Sequence, residues 1–205
     1  MIGNKFIFIH IPKCGGSSIY KALVPGIADD INETEHGGWD SQSKVMKQHA
    51  TAEQIKQFYC PDFHEYFSFT FVRNPWDKAV SDYLWMTSLD DSNRSGSFND
   101  YLNEVNEFSA KSLKRLKRYD HIIPQVDYVS TSTENNIVDF IGRFENFQQD
   151  FNTVCDKIGM SRQQLPHKNK TKHKHYTEYY DDETRGIVAG KYARDIELFG
   201  YKFGE

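Results

Sequence analysis

The sequence predicts an α/β domain with a mainly parallel sheet, and three observations carry that expectation. Short apolar runs alternate with stretches of helical spacing. The first run, at residues 5–11 ("KFIFIHI"), is almost wholly apolar, as a strand covered on both faces requires. The two clearest strands each lead directly into a helix start. With 205 residues, 38% hydrophobic and 26% charged, the chain suits a single soluble domain, 1–205, with no repeat or linker. Aromatic residues make up 15%, which favours sheet surfaces and a packed core. A net charge of −4 argues against wholesale nucleic-acid binding. Cys14, Cys60 and Cys155 are far apart with no CxxC pair, which fits neither a disulfide framework nor a zinc site and suits a reducing compartment. "MIGNKFIFIH" is short for a signal peptide, and no stretch approaches the ~20 apolar residues of a membrane span. A cytoplasmic location is therefore expected, with any membrane association peripheral.

Each element has a local reason. After the first strand a helix is expected over about 16–24, ended by Pro25 and Gly26. Residues 28–45 are rich in Asn, Glu, Gly and Ser and read as a long loop. Thr51 with Gln54 forms a capping box, so a helix starts just after His49. Phe67, Phe69 and Phe71 alternate with Ser68 and Thr70, a period of two that means strand, stopping at Arg73. Asn74 is then an N-cap with Pro75 at the first helical position. Ser97 caps a helix to about Phe108, followed by the basic run "KSLKRLKR" at 111–118. A strand is expected around 137–144. Asn146 would cap a helix whose Phe147, Phe151, Val154 and Ile158 recur at helical spacing. A last helix over about 182–199 is closed by Gly200.

The turn "IPKCGGSSI" holds the first chemistry. A strand that ends in glycines and enters a helix presents backbone N–H groups and a positive dipole end, which favour an anion. Gly15 and Gly16 admit close approach, Ser17 and Ser18 add hydroxyls, and Lys13 adds a charge. An ordinary strand–turn–helix junction with a surface lysine has the same local pattern. A Walker loop would place Lys and Ser or Thr directly after a glycine, whereas Lys21 lies between Tyr20 and Ala22. A cysteine phosphatase built on Cys14 would need an arginine where Tyr20 stands. The second junction, "FVRNPWDKAVSDY", supplies Arg73, whose fork suits a phosphate. Ser81 lies two helical turns beyond Asn74 on about the same face, roughly 10 Å along the axis. Arg73 paired to a carboxylate, with Ser81 an ordinary helix residue, is the alternative.

Together the two motifs resemble the sulfotransferases that use 3′-phosphoadenosine 5′-phosphosulfate (PAPS), most closely the group acting on carbohydrate hydroxyls. The likeness extends to "KQHATAEQIKQF", "GRFENFQQDFN" and the closing stretch from Asn169. It implies a P-loop-nucleotide-hydrolase-like sulfotransferase fold and PAPS as co-substrate with no metal. The 5′-phosphosulfate would lie at the loop Lys13, Cys14, Gly15, Gly16, Ser17 and Ser18, and the 3′-phosphate at Arg73 and Ser81. A basic segment late in such chains folds over the 3′-phosphate, which implies Lys170 and Thr171 here, although a lysine run is usually just a solvated face. Glycan-modifying relatives usually carry a membrane anchor and longer substrate loops, and no stretch of these 205 residues is expected to supply either, so the expected acceptor, a saccharide hydroxyl, rests on the likeness alone.

Sulfuryl transfer should follow the logic of phosphoryl transfer, with positioning and electrostatics supplying most of the rate. Lys13 would stabilise the leaving phosphate. His49, in "KQHATAEQ", is the expected general base, because members of this group carry a histidine in a comparable stretch; a histidine that only packs or caps is the alternative. Glu33 and Glu35 come next. His10 reads as structural or supporting, and His167, His173 and His175 belong to a basic loop. A kinase-like phosphotransferase on the same scaffold and a glycan-binding module without catalysis are the competing functions.

Overall fold

The computed structural model describes residues 6–24, 38–42, 45–88, 96–107, 119–166 and 174–205. Its elements in chain order are β1 (Phe6–Ile9), α1 (Gly16–Leu23), β2 (Trp39–Asp40), β3 (Val45–Met46), α2 (Ala52–Gln54), β4 (Phe67–Val72), α3 (Pro75–Ser88) and α4 (Phe98–Glu107). They continue with α5 (Val126–Val129), β5 (Phe140–Arg143), α6 (Phe147–Ile158), α7 (Asp182–Lys191) and α8 (Ala193–Phe199), with single 3-10 or π turns between. The elements fall into two compact units, Met1–Val72 with Gln125–Asn169, and Arg73–Pro124 with Lys170–Glu205.

The first unit contains the expected parallel sheet, in the order β1-β4-β5, with Phe8 opposite Phe69 and Phe69 opposite Phe140. All three carboxyl ends therefore share one edge. β4 is the middle strand, so its polar positions are as buried as its phenylalanines. Their hydroxyls are satisfied inside: Ser68 donates to Asp139 Oδ2 (2.9 Å) and Thr70 to the Ile9 carbonyl (2.7 Å). The phenylalanines stack through the sheet, Phe8 on Phe69 at 5.1 Å, and burying each contributes about 1.5–3 kcal/mol. Gly142 sits opposite Phe71, and a Cβ there would stand 2.6 Å from that ring. The bare backbone lets Phe71 lie across β5 and meet Phe147 edge-on at 5.3 Å. α6 packs on β5 and β4 with Phe151, Val154, Cys155 and Ile158 buried.

Several boundaries differ from the local expectation. β1 ends at Ile9 rather than Ile11, and Lys5 lies outside the described residues. β5 is confined to Phe140–Arg143, because upstream the Ile137 N–H bonds the Val129 carbonyl instead of the ladder. Asn146 makes no side-chain cap. A 3-10 turn at Phe144–Asn146 leads into α6, and the Asp150 carboxylate accepts from the Arg143 N–H at 2.6 Å. Within the stretch read as loop, β2 and β3 pair antiparallel, Trp39 against Met46. The Thr51–Gln54 capping box is present in both directions (3.2 and 2.9 Å). Its α-turn lasts 3 residues before a π turn, Ile55–Tyr59, closes on Cys60. All three cysteines are free and buried, and burial raises the Cys60 and Cys155 thiols above their ordinary values.

The second unit gathers α3, α4 and α7 around Trp76, Val80, Leu102, Val188 and Tyr192. Asn74 caps α3 through Trp76 N–H to Oδ1 (3.1 Å), and Ser97 caps α4 through Asp100 N–H (3.2 Å), both as expected. The single last helix is instead two, broken at Tyr192 (φ −109°, ψ 27°), whose buried hydroxyl donates to the Ile122 carbonyl at 3.2 Å. Gly200, left-handed at φ 67°, ends α8. A polar cluster lies inside this unit. Buried Asp82 accepts from Tyr101 Oη (2.9 Å) and pairs with His121 Nδ1 (2.7 Å), while Lys78 Nζ donates to the His121 carbonyl (2.6 Å). Burial, with Asp82 beside it, raises the Tyr101 phenol well above its ordinary value and keeps it a proton donor. No described helix is long and apolar enough to cross a membrane.

Candidate active site

The loop after β1 is shaped by two glycines that are needed for different reasons. Gly15, at φ 84°, is the N-cap of α1, and a Cβ on it would stand 2.4 Å from the Phe147 ring. Gly16 has no such backbone demand, but its Cβ would fall 1.9 Å from the His10 imidazole. Lys13 has φ 66°, the one positive-φ residue other than glycine among those described. The first bonds inside α1 run from the Ser18 and Ile19 N–H groups to the Gly15 carbonyl, at 3.0 and 3.3 Å. The N–H groups of Gly16 and Ser17 come ahead of that ladder, and no acid occupies the first turn. Ser17 is exposed, Lys13 half-buried and Ser18 buried. The Cys14 thiol turns inward, donating to Gln125 Oε1 at 3.3 Å and to the Pro12 carbonyl at 3.5 Å.

His49 ends the 3-10 turn Lys47–His49, which is anchored on both sides. Upstream, Lys47 N–H bonds the Gly38 carbonyl and Gly38 N–H bonds Gln48 Oε1, both at 2.9 Å; downstream stands the Thr51 cap. The half-buried His49 ring meets His10 edge-on at 4.8 Å. His10 in turn stacks on Phe8 at 5.7 Å and lies against Gly16. The first unit thus brings the Lys13 loop, His10 and His49 together.

Arg73 follows β4 directly and is 8% exposed; its Nε donates to Asp77 Oδ2 at 2.7 Å, in the first turn of α3. That bond uses one of the five guanidinium donors and orients the fork. Ser81 is half-buried in the second turn of α3. The turn between them is tied down from far along the chain. Asn74 Nδ2 donates to the Lys202 carbonyl (2.9 Å), the Glu205 carbonyl (3.3 Å) and Tyr176 Oη (3.3 Å), and Phe203 stands edge-on to Trp76 at 5.6 Å. Asn74→Ala removes the cap and this staple together, so a loss of about 2 kcal/mol in urea unfolding is expected. Asn74→Asp keeps the cap acceptor but sets a carboxylate oxygen against the Lys202 and Glu205 carbonyls, so it should lose at least as much. Lys170, Thr171, Glu33, Glu35, His167, His173 and the run 111–118 lie outside the described residues.

No motif marks Gln125 in the sequence, although it is fully buried and bonded to Cys14. Its only local signal is a polar amide between Pro124 and the apolar positions of "VDYV".

A parallel three-stranded sheet with a glycine-fronted helix start at the end of its first strand defines an α/β protein with a candidate anion loop. The chain belongs to the sulfotransferase family, whose model matches residues 3–202. Membership supports sulfuryl transfer as its activity. It is 34% identical over 98 residues to an uncharacterized protein of Archaeoglobus fulgidus, covering 48% of this chain and 72% of that one. A crystal structure of a sulfotransferase from Alicyclobacillus acidocaldarius is similar at a TM-score of 0.48 and 18% identity, covering 99% of this chain and 98% of that one.

Proposed function

We propose that the chain moves a sulfuryl group from PAPS to a hydroxyl of a saccharide acceptor. The acceptor oxygen attacks sulfur in line as the bond from sulfur to the 5′-phosphate oxygen breaks. Adenosine 3′,5′-bisphosphate leaves, and the hydroxyl proton passes to His49. Lys13 meets the charge that builds on the leaving phosphate, and the N–H groups at the head of α1 hold its oxygens. Arg73 and Ser81 take the 3′-phosphate, with Lys170 and Thr171 as further donor contacts. The step as written needs no metal. The observation that carries this reading is the His10 ring, which touches the loop at Gly16 and His49 at its edge and so puts a base candidate beside an anion loop. The carboxyl edge of a parallel sheet is also where α/β proteins take their ligands.

Calorimetry with adenosine 3′,5′-bisphosphate and with AMP tests the donor assignment. The bisphosphate should bind at least about tenfold tighter, since the second phosphate adds charge-assisted bonds to Arg73. Equal affinities would remove the 3′-phosphate from Arg73 and Ser81. A larger thermal shift with ATP than with the bisphosphate would favour a phosphotransferase instead.

A further inference from the structure

We infer that Gln125 is a positioning residue for the Lys13 loop: its buried amide oxygen receives the Cys14 thiol and so holds Lys13 in its left-handed turn. This rests on the reading of that loop as the seat of the 5′-phosphate. A left-handed backbone at a residue with a side chain costs about 1–2 kcal/mol and persists only where the surroundings enforce it. Around Lys13 the enforcement is visible. Phe147 walls off Gly15 and His10 walls off Gly16, so the far side of the turn cannot relax toward either ring. On the near side, Cys14 is held by its thiol to Gln125 Oε1 at 3.3 Å and by its N–H to the Ile11 carbonyl at 3.4 Å.

Gln125 itself cannot swing aside. Its side chain is 0% exposed, and a buried amide without bonds would cost more than the fold can spare. Its carbonyl accepts from the Tyr128 N–H at 3.0 Å, at the head of α5. Val126, Tyr128 and Val129 of that helix are buried, and α5 packs on α2. A side chain of similar bulk without an acceptor would fill the space yet leave the thiol without this partner. The loop would then ease toward ordinary backbone angles and carry the Lys13 amine off the phosphate.

The test compares adenosine 3′,5′-bisphosphate with adenosine 3′-monophosphate, which lacks the 5′-phosphate, by calorimetry on the wild type, Gln125→Leu, Cys14→Ala, Cys14→Ser and the Gln125→Leu/Cys14→Ala double variant. Gln125→Leu and Cys14→Ala should each weaken the bisphosphate about tenfold and leave the monophosphate unchanged. Cys14→Ser keeps a donor and should retain most of the affinity. The double variant should lose no more than Cys14→Ala alone, because that variant already removes the thiol that Gln125 receives. Equal losses for both nucleotides would reduce the pair to a packing role and overturn the inference, as would full bisphosphate affinity in both single variants. If Gln125→Leu does not fold, the contrast between Cys14→Ala and Cys14→Ser decides, and equal affinity in those two overturns it. A wild type that binds both nucleotides equally removes the 5′-phosphate from the loop, and the proposed function and this inference fall together.

Discussion

His49→Ala is expected to cut transfer by about 10²–10⁴-fold while leaving the affinity for adenosine 3′,5′-bisphosphate nearly intact, because general-base catalysis typically contributes that much. The wild-type rate should also fall on the acid side, since a protonated imidazole has no lone pair for the acceptor's proton. Burial and anchoring sharpen this test. His49 ends a turn tied to Gly38 on one side and to the Thr51 cap on the other, so removing its ring should not unravel the backbone that carries it. The ring does contact His10, which braces Gly16, so part of the loss could reach the loop rather than the proton. His49→Gln and the melting temperature separate the two: a glutamine restores bulk against His10 but cannot act as the base. A His49→Gln enzyme that recovers near wild-type turnover would move the base elsewhere, with Glu33 and Glu35 next.

Lys13→Ala should lower kcat by about 10²-fold, with nucleotide affinity reduced far less. A charge aimed at a leaving phosphate matters most as that phosphate departs, and removing one such preorganised donor typically costs about this much. The backbone complicates the comparison in a useful way. Alanine at a φ of 66° keeps the steric penalty that lysine already bears, whereas Lys13→Gly relieves it while removing the same amine. The two variants should therefore share the kinetic defect, with glycine the more stable in urea. A Lys13→Gly enzyme with unimpaired kcat would show that the turn, and not the amine, is what the reaction needs.

The elements legible in the sequence are those whose cause lies within a few residues. The Thr51–Gln54 box, the Asn74–Pro75 start, the Ser97 cap and the left-handed Gly200 all appear where local hydrogen bonding and backbone freedom put them. So does the glycine-bordered turn at the end of β1, because only a Cβ-free backbone suits it. The alternation of β4 is likewise legible as a strand, but alternation alone does not imply that Ser68 and Thr70 are buried. That follows from β4 lying between two other strands, which no window of the sequence contains.

The rest was decided by partners far away in the chain. The break at Tyr192 is set by a hydroxyl that reaches Ile122, and the limit of β5 by a bond from Ile137 to Val129. The site shows the same division. The glycine-bordered turn with Lys13, Gly15 and Gly16 is legible from residue order alone, whereas the place of His10 between Gly16 and His49 depends on the packed ring. That Asp77 is the carboxylate beside Arg73, at 2.7 Å, is likewise a matter of the folded chain. Gln125 is the extreme case, an amide with no periodicity, cap or motif to mark it, buried against Cys14 only because the folded chain returns there. Local propensity acts over a turn of helix or a pair of strand residues; burial and hydrogen-bond partners are set by which segments pack together, and that is a property of the whole chain.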